Sequence, residues 1–280
     1  MKVLQVQYGS QDAPRLFTQS LRETGFAVLT DHTLSPSMIR ETFKDWEKFF
    51  ASEEKHRYKF DPTLQSGYFP FRTENAKNYS QKDLKEFYHL YVWDKLPAGL
   101  AERTWEMFHS LTKLASELLC WIEEYSPKEI QSQFSMPLKD MIVDSREVLL
   151  RPIHYPPLTG GEEEGAIRAA AHEDINLITL LPAATTPGLQ VMDTAGEWHD
   201  VSCDPGSIAI NSGDMLQMAS QGYYRSTTHR VVNPKGPAAR TSRYSMPLFL
   251  HPRADVKLSE THTAKSYLQE RLREIGLLKK

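Results

Sequence analysis

Hydrophobic positions recur at helical spacing through much of the first half of the chain and in short alternating runs through the second. Leu16, Phe17 and Leu21 fall on one face after Asp12-Ala13-Pro14, so a helix with Asp12 as cap and Pro14 in its first turn is expected, ended by Gly25. Ser35-Pro36 predicts a second helix running to Ala51, with Met38, Phe43, Trp46, Phe49 and Phe50 as its apolar side. A third is expected over 99–125, where Leu100, Trp105, Phe108, Leu111, Leu114, Leu118, Leu119 and Ile122 form a stripe that reads as core. Runs at 3–6, 26–29 and 87–93 read as strands, and 60–79 as an irregular aromatic loop. From Val148 onward short strands separated by Pro- and Gly-rich turns dominate, the pattern of a barrel or sandwich. Residues 261–280 read as a basic amphipathic packing helix. The expected organisation is therefore an α/β region over 1–147 that packs on the core and helps form a substrate pocket, and a mainly β core over 148–280 with a C-terminal helix.

Chemistry concentrates in the β half. His172-Glu173-Asp174 is followed 57 positions later by His229. In an extended strand, residues two apart share a face, so His172 and Asp174 can aim at one point while Glu173 points away. Two imidazoles and one carboxylate are the facial set that binds non-haem Fe(II) and leaves positions open. Arg243-Tyr244-Ser245 repeats the i, i+2 relation, so a guanidinium and a hydroxyl can grip one carboxylate. Each triplet alone is commonplace: a strand histidine is more often structural, and R-x-S more often a solvated face. Their combination points to a metal with an anion beside it. Turn chemistry at Asn233-Pro234-Lys235-Gly236-Pro237 suggests that the strands bearing His229 and Arg243 are neighbours, as in a hairpin. Alternation puts Arg151, Ile153 and Tyr155 on one face and His154 on the other. His32, His56, His89, His109, His154, His199, His251 and His262 have no partner at matching spacing and read as structural or exposed; Asn211-Ser212-Gly213-Asp214 reads as a turn.

From Leu149 to Pro252 the chain resembles the iron/2-oxoglutarate-dependent oxygenases of the isopenicillin N synthase-like family. The resemblance rests on Ala171-His172-Glu173-Asp174 with Leu177-Ile178-Thr179-Leu180-Leu181, on Pro187-Gly188-Leu189-Gln190-Val191, on the approach from Ser220 to His229-Arg230-Val231, and on Arg243-Tyr244-Ser245. It reaches the first third more weakly, through Gly25-Phe26-Ala27-Val28-Leu29 and Gly67-Tyr68. It implies a double-stranded β-helix (jelly roll) holding Fe(2+) on His172, Asp174 and His229. It further implies 2-oxoglutarate on Arg243 and Ser245 with Tyr155 assisting, O2 as oxidant, and ascorbate as a candidate reductant. The implied reaction hydroxylates, desaturates or cyclises a small organic substrate, releasing succinate and CO2. Two alternatives stay open: a synthase-type oxidase that uses no 2-oxoglutarate, and an inactive jelly-roll binding protein. Gln65 stands where the synthase has a substrate-binding arginine, and the intact His172, Asp174 and His229 argue against loss of catalysis. Tyr68, Phe69, Phe71 and Arg72, together with the residues after His172, are the expected pocket lining, which suggests a small or flat substrate.

Composition adds bounds. With 280 residues, 40% hydrophobic and 25% charged, the chain is ordinary for a soluble globular protein. A net charge of −3, without basic runs interleaved with aromatics, gives no reason to expect nucleic acid. Two cysteines, Cys120 and Cys203, make no disulfide framework and favour a cytoplasmic setting. The first residues lack the apolar run of a signal peptide, and no stretch is apolar enough to span a membrane. The oligomeric state leaves no signature in the sequence.

Overall fold

The computed structural model describes residues 1–74 and 81–274. In chain order these form β1 (Gln5–Gln7), α1 (Ala13–Thr24), β2 (Phe26–Thr30), α2 (Pro36–Ala51), β3 (Gly67–Phe69), β4 (Glu86–His89), α3 (Ala98–Glu124), α4 (Lys128–Gln131), β5 (Leu149–Leu150), β6 (Ile153–Tyr155) and β7 (Ala169–His172). There follow β8 (Ile178–Pro182), β9 (Leu189–Met192), β10 (Trp198–Asp200), β11 (Ile208–Ser212), α5 (Asp214–Ala219), β12 (His229–Val231), β13 (Arg243–Ser245), β14 (Leu248–Leu250) and α6 (Ala264–Glu274). Tyr79, in the expected aromatic loop, and positions 275–280 of the last helix lie outside the described residues.

The expected helices form, and two of their end signals work as written. Ser35 accepts the Met38 N–H through its side chain, and Pro36 opens α2. Gly25 closes α1 at φ 73°, where any Cβ would also run into Thr227. Asp12 does not cap α1: its carboxylate pairs with Arg15 instead. The strand expected over 87–93 is shorter, covering Glu86–His89.

The strands make three sheets, ordered β1-β2-β11-β8-β14-β5, β10-β9-β12-β7 and β13-β6-β4-β3. The first is buried on both faces, and the period-2 alternation of its strands divides two cores. Ala27 and Leu29 of β2, with Ile208 and Ile210 of β11, face the core they share with α1, α2 and α3. Phe26, Val28 and Ala209 face inward, joining Phe87, Ile153, Tyr155, Val191 and Val231 from the two smaller sheets. This second core fills the jelly roll and floors the site. The Trp46 indole N–H donates to Thr104 at 3.0 Å and Arg103 pairs with Asp45 at 2.7 Å, tying α2 to α3. Phe50 of α2 packs on His154 and Tyr244, covering the outer face of the third sheet.

The hairpin expected between the strands of His229 and Arg243 does not form. β12 pairs with β7 and β9, whereas β13 pairs with β6 in another sheet. The intervening Pro/Gly segment folds into a 3-10 turn at Gly236–Arg240, which carries the chain across.

Candidate active site

Strand register builds the site. His229 of β12 lies directly opposite His172 of β7, and their rings stand 4.4 Å apart between centroids. Asp174 reaches the same point by a different route from the one alternation suggests. β7 ends at His172, and Asp174 sits in the loop beyond it, where its carbonyl accepts the Asp214 N–H at 2.8 Å. Asp174 Oδ1 then lies 3.9 Å from His172 Nε2 and 3.7 Å from His229 Nε2. Glu173 turns away from that point and accepts a hydrogen bond from Thr228.

The donor set suits a divalent first-row ion. One ligand atom from each of His172, Asp174 and His229 lies within 4.8 Å of the others. Two donors about 2.1 Å from one ion can be at most about 4.2 Å apart, so Asp174 and either histidine reach a common ion. Each imidazole directs Nδ1 at a backbone carbonyl two residues back: Ala170 at 2.7 Å for His172 and Thr227 at 3.0 Å for His229. That fixes Nδ1–H as donor and leaves the Nε2 lone pair inward. Asp174 Oδ2 accepts from Thr179 Oγ1 at 2.6 Å and Asn211 Nδ2 at 2.8 Å, leaving Oδ1 free. Burial would raise the Asp174 carboxyl, but the facing His229 and His172, with the Asn211 and Thr179 hydrogen bonds, hold it below the ordinary range. Burial first, then the His229 imidazole, lower His172 to about 4; its side chain is 37% open, so solvent softens that shift. Asp174 and His172 are therefore deprotonated at neutral pH, as metal binding requires.

Tyr155, Arg243 and Ser245 line the same pocket. Register sets Arg243 opposite Tyr155 and Ser245 opposite Ile153. Arg243 is buried; Nε donates to the Thr186 carbonyl at 2.9 Å, while Nη1 has no partner. The fork is thus anchored at Nε and bonded to Tyr155, with Nη1 lacking a partner. The guanidinium lies 5.1 Å from the Tyr155 ring centroid, and burial lowers its pKa. Arg168, absent from the sequence reading, adds a second buried cation. Its guanidinium lies 5.9 Å from the centroid of the same ring, and Nε and Nη1 have no partner. Burial and the neighbouring Arg243 push it down to about 10. Two buried guanidiniums without a carboxylate are unfavourable on their own, and an anion beside them offsets that cost.

An outer cavity of about 580 Å³ is lined by His172 and Asp174 as well. Lys85, Arg151, His172, Asp174 and Phe249 line both compartments. The residues after His172 line the outer cavity as expected, through Glu173, Asp174 and Ile175, but Tyr68, Phe69, Phe71 and Arg72 do not. Tyr68 is buried with its hydroxyl on Glu86, and Phe69 stacks between Phe60 and Phe87. Phe71 is exposed, and Arg72 pairs with Glu163. Alternation along β3 sends its rings into the two cores. The cavity wall comes instead from Leu64, Gln65, His89, Tyr91, Trp93 and His251, among others. His89 and His251 are thus buried, as a structural reading of them allows, yet also face the cavity. Asn211, read as part of a turn, is the last-but-one residue of β11 and holds Asp174.

Residues 146–252 match the model of the 2OG-Fe(II) oxygenase superfamily, and 9–108 that of the non-haem dioxygenase in morphine synthesis N-terminal family. A 2-oxoglutarate-Fe(II) type oxidoreductase of Aspergillus fumigatus is 30% identical, over 86% of this chain and 78% of that protein. A solved chain from Shewanella oneidensis assigned as an oxygenase is 51% identical, with a TM-score of 0.90 over 99% of this chain and 100% of that one. A Neurospora crassa protein solved in complex with alpha-KG is 22% identical, with a TM-score of 0.80 over 96% and 95%, a likeness of fold. The chain belongs to the 2OG-Fe(II) oxygenase superfamily: it is an iron(II)- and 2-oxoglutarate-dependent dioxygenase with a jelly-roll core, acting on a small molecule.

Proposed function

We propose that His172, Asp174 and His229 are the iron ligands, that Arg243, Ser245 and Tyr155 hold the distal carboxylate of 2-oxoglutarate, and that the outer cavity receives the substrate. The observation that carries this reading is the shared pocket: three converging donor atoms and a buried guanidinium with one unpartnered nitrogen line a single compartment. Bound iron(II) couples oxidative decarboxylation of 2-oxoglutarate, giving succinate and CO2, to oxidation of the substrate by dioxygen. The chain's own residues bind and orient. Thr179 and Asn211 aim the carboxylate, the Ala170 and Thr227 carbonyls aim the imidazoles, and Arg243 sets the keto acid's direction. Segment 1–147 supplies part of the cavity wall through Leu64, Gln65, His89, Tyr91 and Trp93, which supports a pocket-forming role for it. The cysteines, both free, support a reducing cytoplasmic setting; among the described residues no helix is long and apolar enough to cross a membrane.

Anaerobic titration tests the assignment. Iron(II)-loaded protein should develop a weak visible charge-transfer band on adding 2-oxoglutarate, and in air it should release succinate slowly without any substrate. No band and no succinate, with iron shown to be bound, would transfer Arg243 and Ser245 to substrate binding, as in an oxidase without 2-oxoglutarate.

A further inference from the structure

The outer cavity holds a cation without a bonded carboxylate. Lys85 pairs with Glu74 and Asp83, each at 2.8 Å. Arg271 pairs with Glu270 at 2.5 Å and Glu274 at 2.8 Å. Arg151, between the two compartments, makes no ion pair among the described residues, and its Nε is buried without a partner. Glu74 feels its charge, but the carboxylate is bonded to Lys85. The Arg151 guanidinium is held between rings, 4.8 Å from the Phe249 centroid and 5.2 Å from that of Phe87. Those rings fix its plane without satisfying its N–H groups.

The same wall carries other unsatisfied groups. Trp93 Nε1, His89 Nε2 and His251 Nδ1 are buried, without hydrogen-bond partners, and belong to residues lining this cavity. Buried polar groups in folded proteins are nearly always paired, so a cluster of such groups on one wall marks a place for a polar ligand. Arg151 and Trp93 offer only donors, which calls for acceptor atoms. Beside them the Tyr91 and Trp93 rings stack, 4.6 Å apart and within 5° of parallel, and Leu64, Ile175 and Leu268 add apolar surface. Of the cavity's carboxylates, Lys85 engages Glu74 and Asp83, Arg271 engages Glu274 and Thr228 bonds Glu173, while Asp214 is bonded through Oδ2 to Tyr267 and keeps Oδ1 without a partner.

We propose that the substrate is a small organic acid whose carboxylate is held by Arg151, with its apolar or aromatic body along the Tyr91–Trp93 wall. The inference rests on the reading of the outer cavity as the substrate site. Anchoring the acid at Arg151, which lines both compartments together with His172 and Asp174, would bring the carbons near that carboxylate toward the metal those residues are proposed to hold.

The test is calorimetric binding to anaerobic, iron(II)- and 2-oxoglutarate-loaded protein. The probes are phenylacetate, 3-phenylpropionate, indole-3-carboxylate and octanoate, each with its primary amide and the corresponding amine. The acids should bind at least about tenfold more tightly than their amides, the scale of one charge-assisted contact. Arg151→Gln should abolish that preference, and Arg151→Lys should keep part of it, since the charge survives without the planar fork. Binding of neither acid nor amide, equal binding of both, a preference for the amines, or an acid preference that survives in Arg151→Gln overturns the proposal. The wild-type comparison and the lysine variant decide the matter if the glutamine variant does not fold. The substrate-free titration separates the two readings: a charge-transfer band without acid preference sinks only this inference, whereas a missing band sinks the site assignment itself.

Discussion

If Arg243 is the clamp, another cation should not replace it. Its Nε is tied to the Thr186 carbonyl while Nη1 has no partner, a planar arrangement of donors that a lysine ammonium does not reproduce. Arg243→Lys should weaken 2-oxoglutarate binding by about 10- to 100-fold and leave iron affinity almost unchanged; wild-type affinity by anaerobic titration would exclude Arg243 as the clamp. Residues one step behind the candidate ligands make a second prediction. Asn211→Ala or Thr179→Val frees Asp174 Oδ2 to swing, and each should lower metal affinity by about 10- to 100-fold, read by competition with a chromogenic chelator; unchanged affinity would show that the hydrogen bonds at 2.8 and 2.6 Å do not orient the carboxylate. The candidate ligands and clamp were legible in the sequence because their chemistry is specific and their spacing short. Asn211 and Arg168 were not, because an amide or a guanidinium acquires a role only from what the fold sets beside it. Alternation placed Arg151 on the face it shares with Tyr155, yet nothing in the sequence could show that it lacks a bonded counter-ion.

At the scale of elements, helices were easier to read than strand pairings. A helix end is decided within four residues, so Ser35-Pro36 and Gly25 suffice; a strand's partner is decided by distant chain. Hence the turn residues after His229 suggested a hairpin, while the actual partners of β12 are β7 and β9. The same long-range logic governs the junction of β11 and α5. Gly213, in extended backbone at φ −108°, packs against the loop that carries Asp174. An added Cβ would overlap the Asn176 carbonyl oxygen and stand 2.8 Å from the Asp174 carbonyl oxygen, both of which are backbone and unable to swing aside. Gly213→Ala should therefore destabilise the protein by about 2 kcal/mol or more and weaken metal binding by displacing Asp174. A variant with wild-type melting temperature and metal affinity would show that this junction tolerates the shift.

Across the whole molecule, the first third proves inseparable from the barrel in its pairing: β2 lies between β1 and β11, and β4 pairs with β6. Sequence periodicity placed those strands but not their sheets, and so misjudged which rings meet the cavity. The packing that results buries several histidines as neutral groups, with a consequence for acid stability. Burial lowers His32, His89 and His251, the last to about 4, and helps lower His172. A depressed folded-state pKa means that the unfolded chain takes up the proton first, near the ordinary 6.5. Stability of the metal-free protein should thus fall as pH drops below about 6.5, with the His251 contribution levelling off below about 4. Asp94 and Glu147, raised by burial, oppose this trend, but the depressed histidines outnumber them. The depressed carboxylates Glu74, Glu86 and Asp174 lose their stabilising charge only at lower pH, below the ordinary carboxylate range. His251 alone should account for about 2 kcal/mol between pH 7 and pH 5. Urea denaturation of the metal-free protein at the two pH values gives the difference, and His251→Asn should shrink it by about that amount. If the two proteins lose the same stability on acidification, His251 is not the group that titrates.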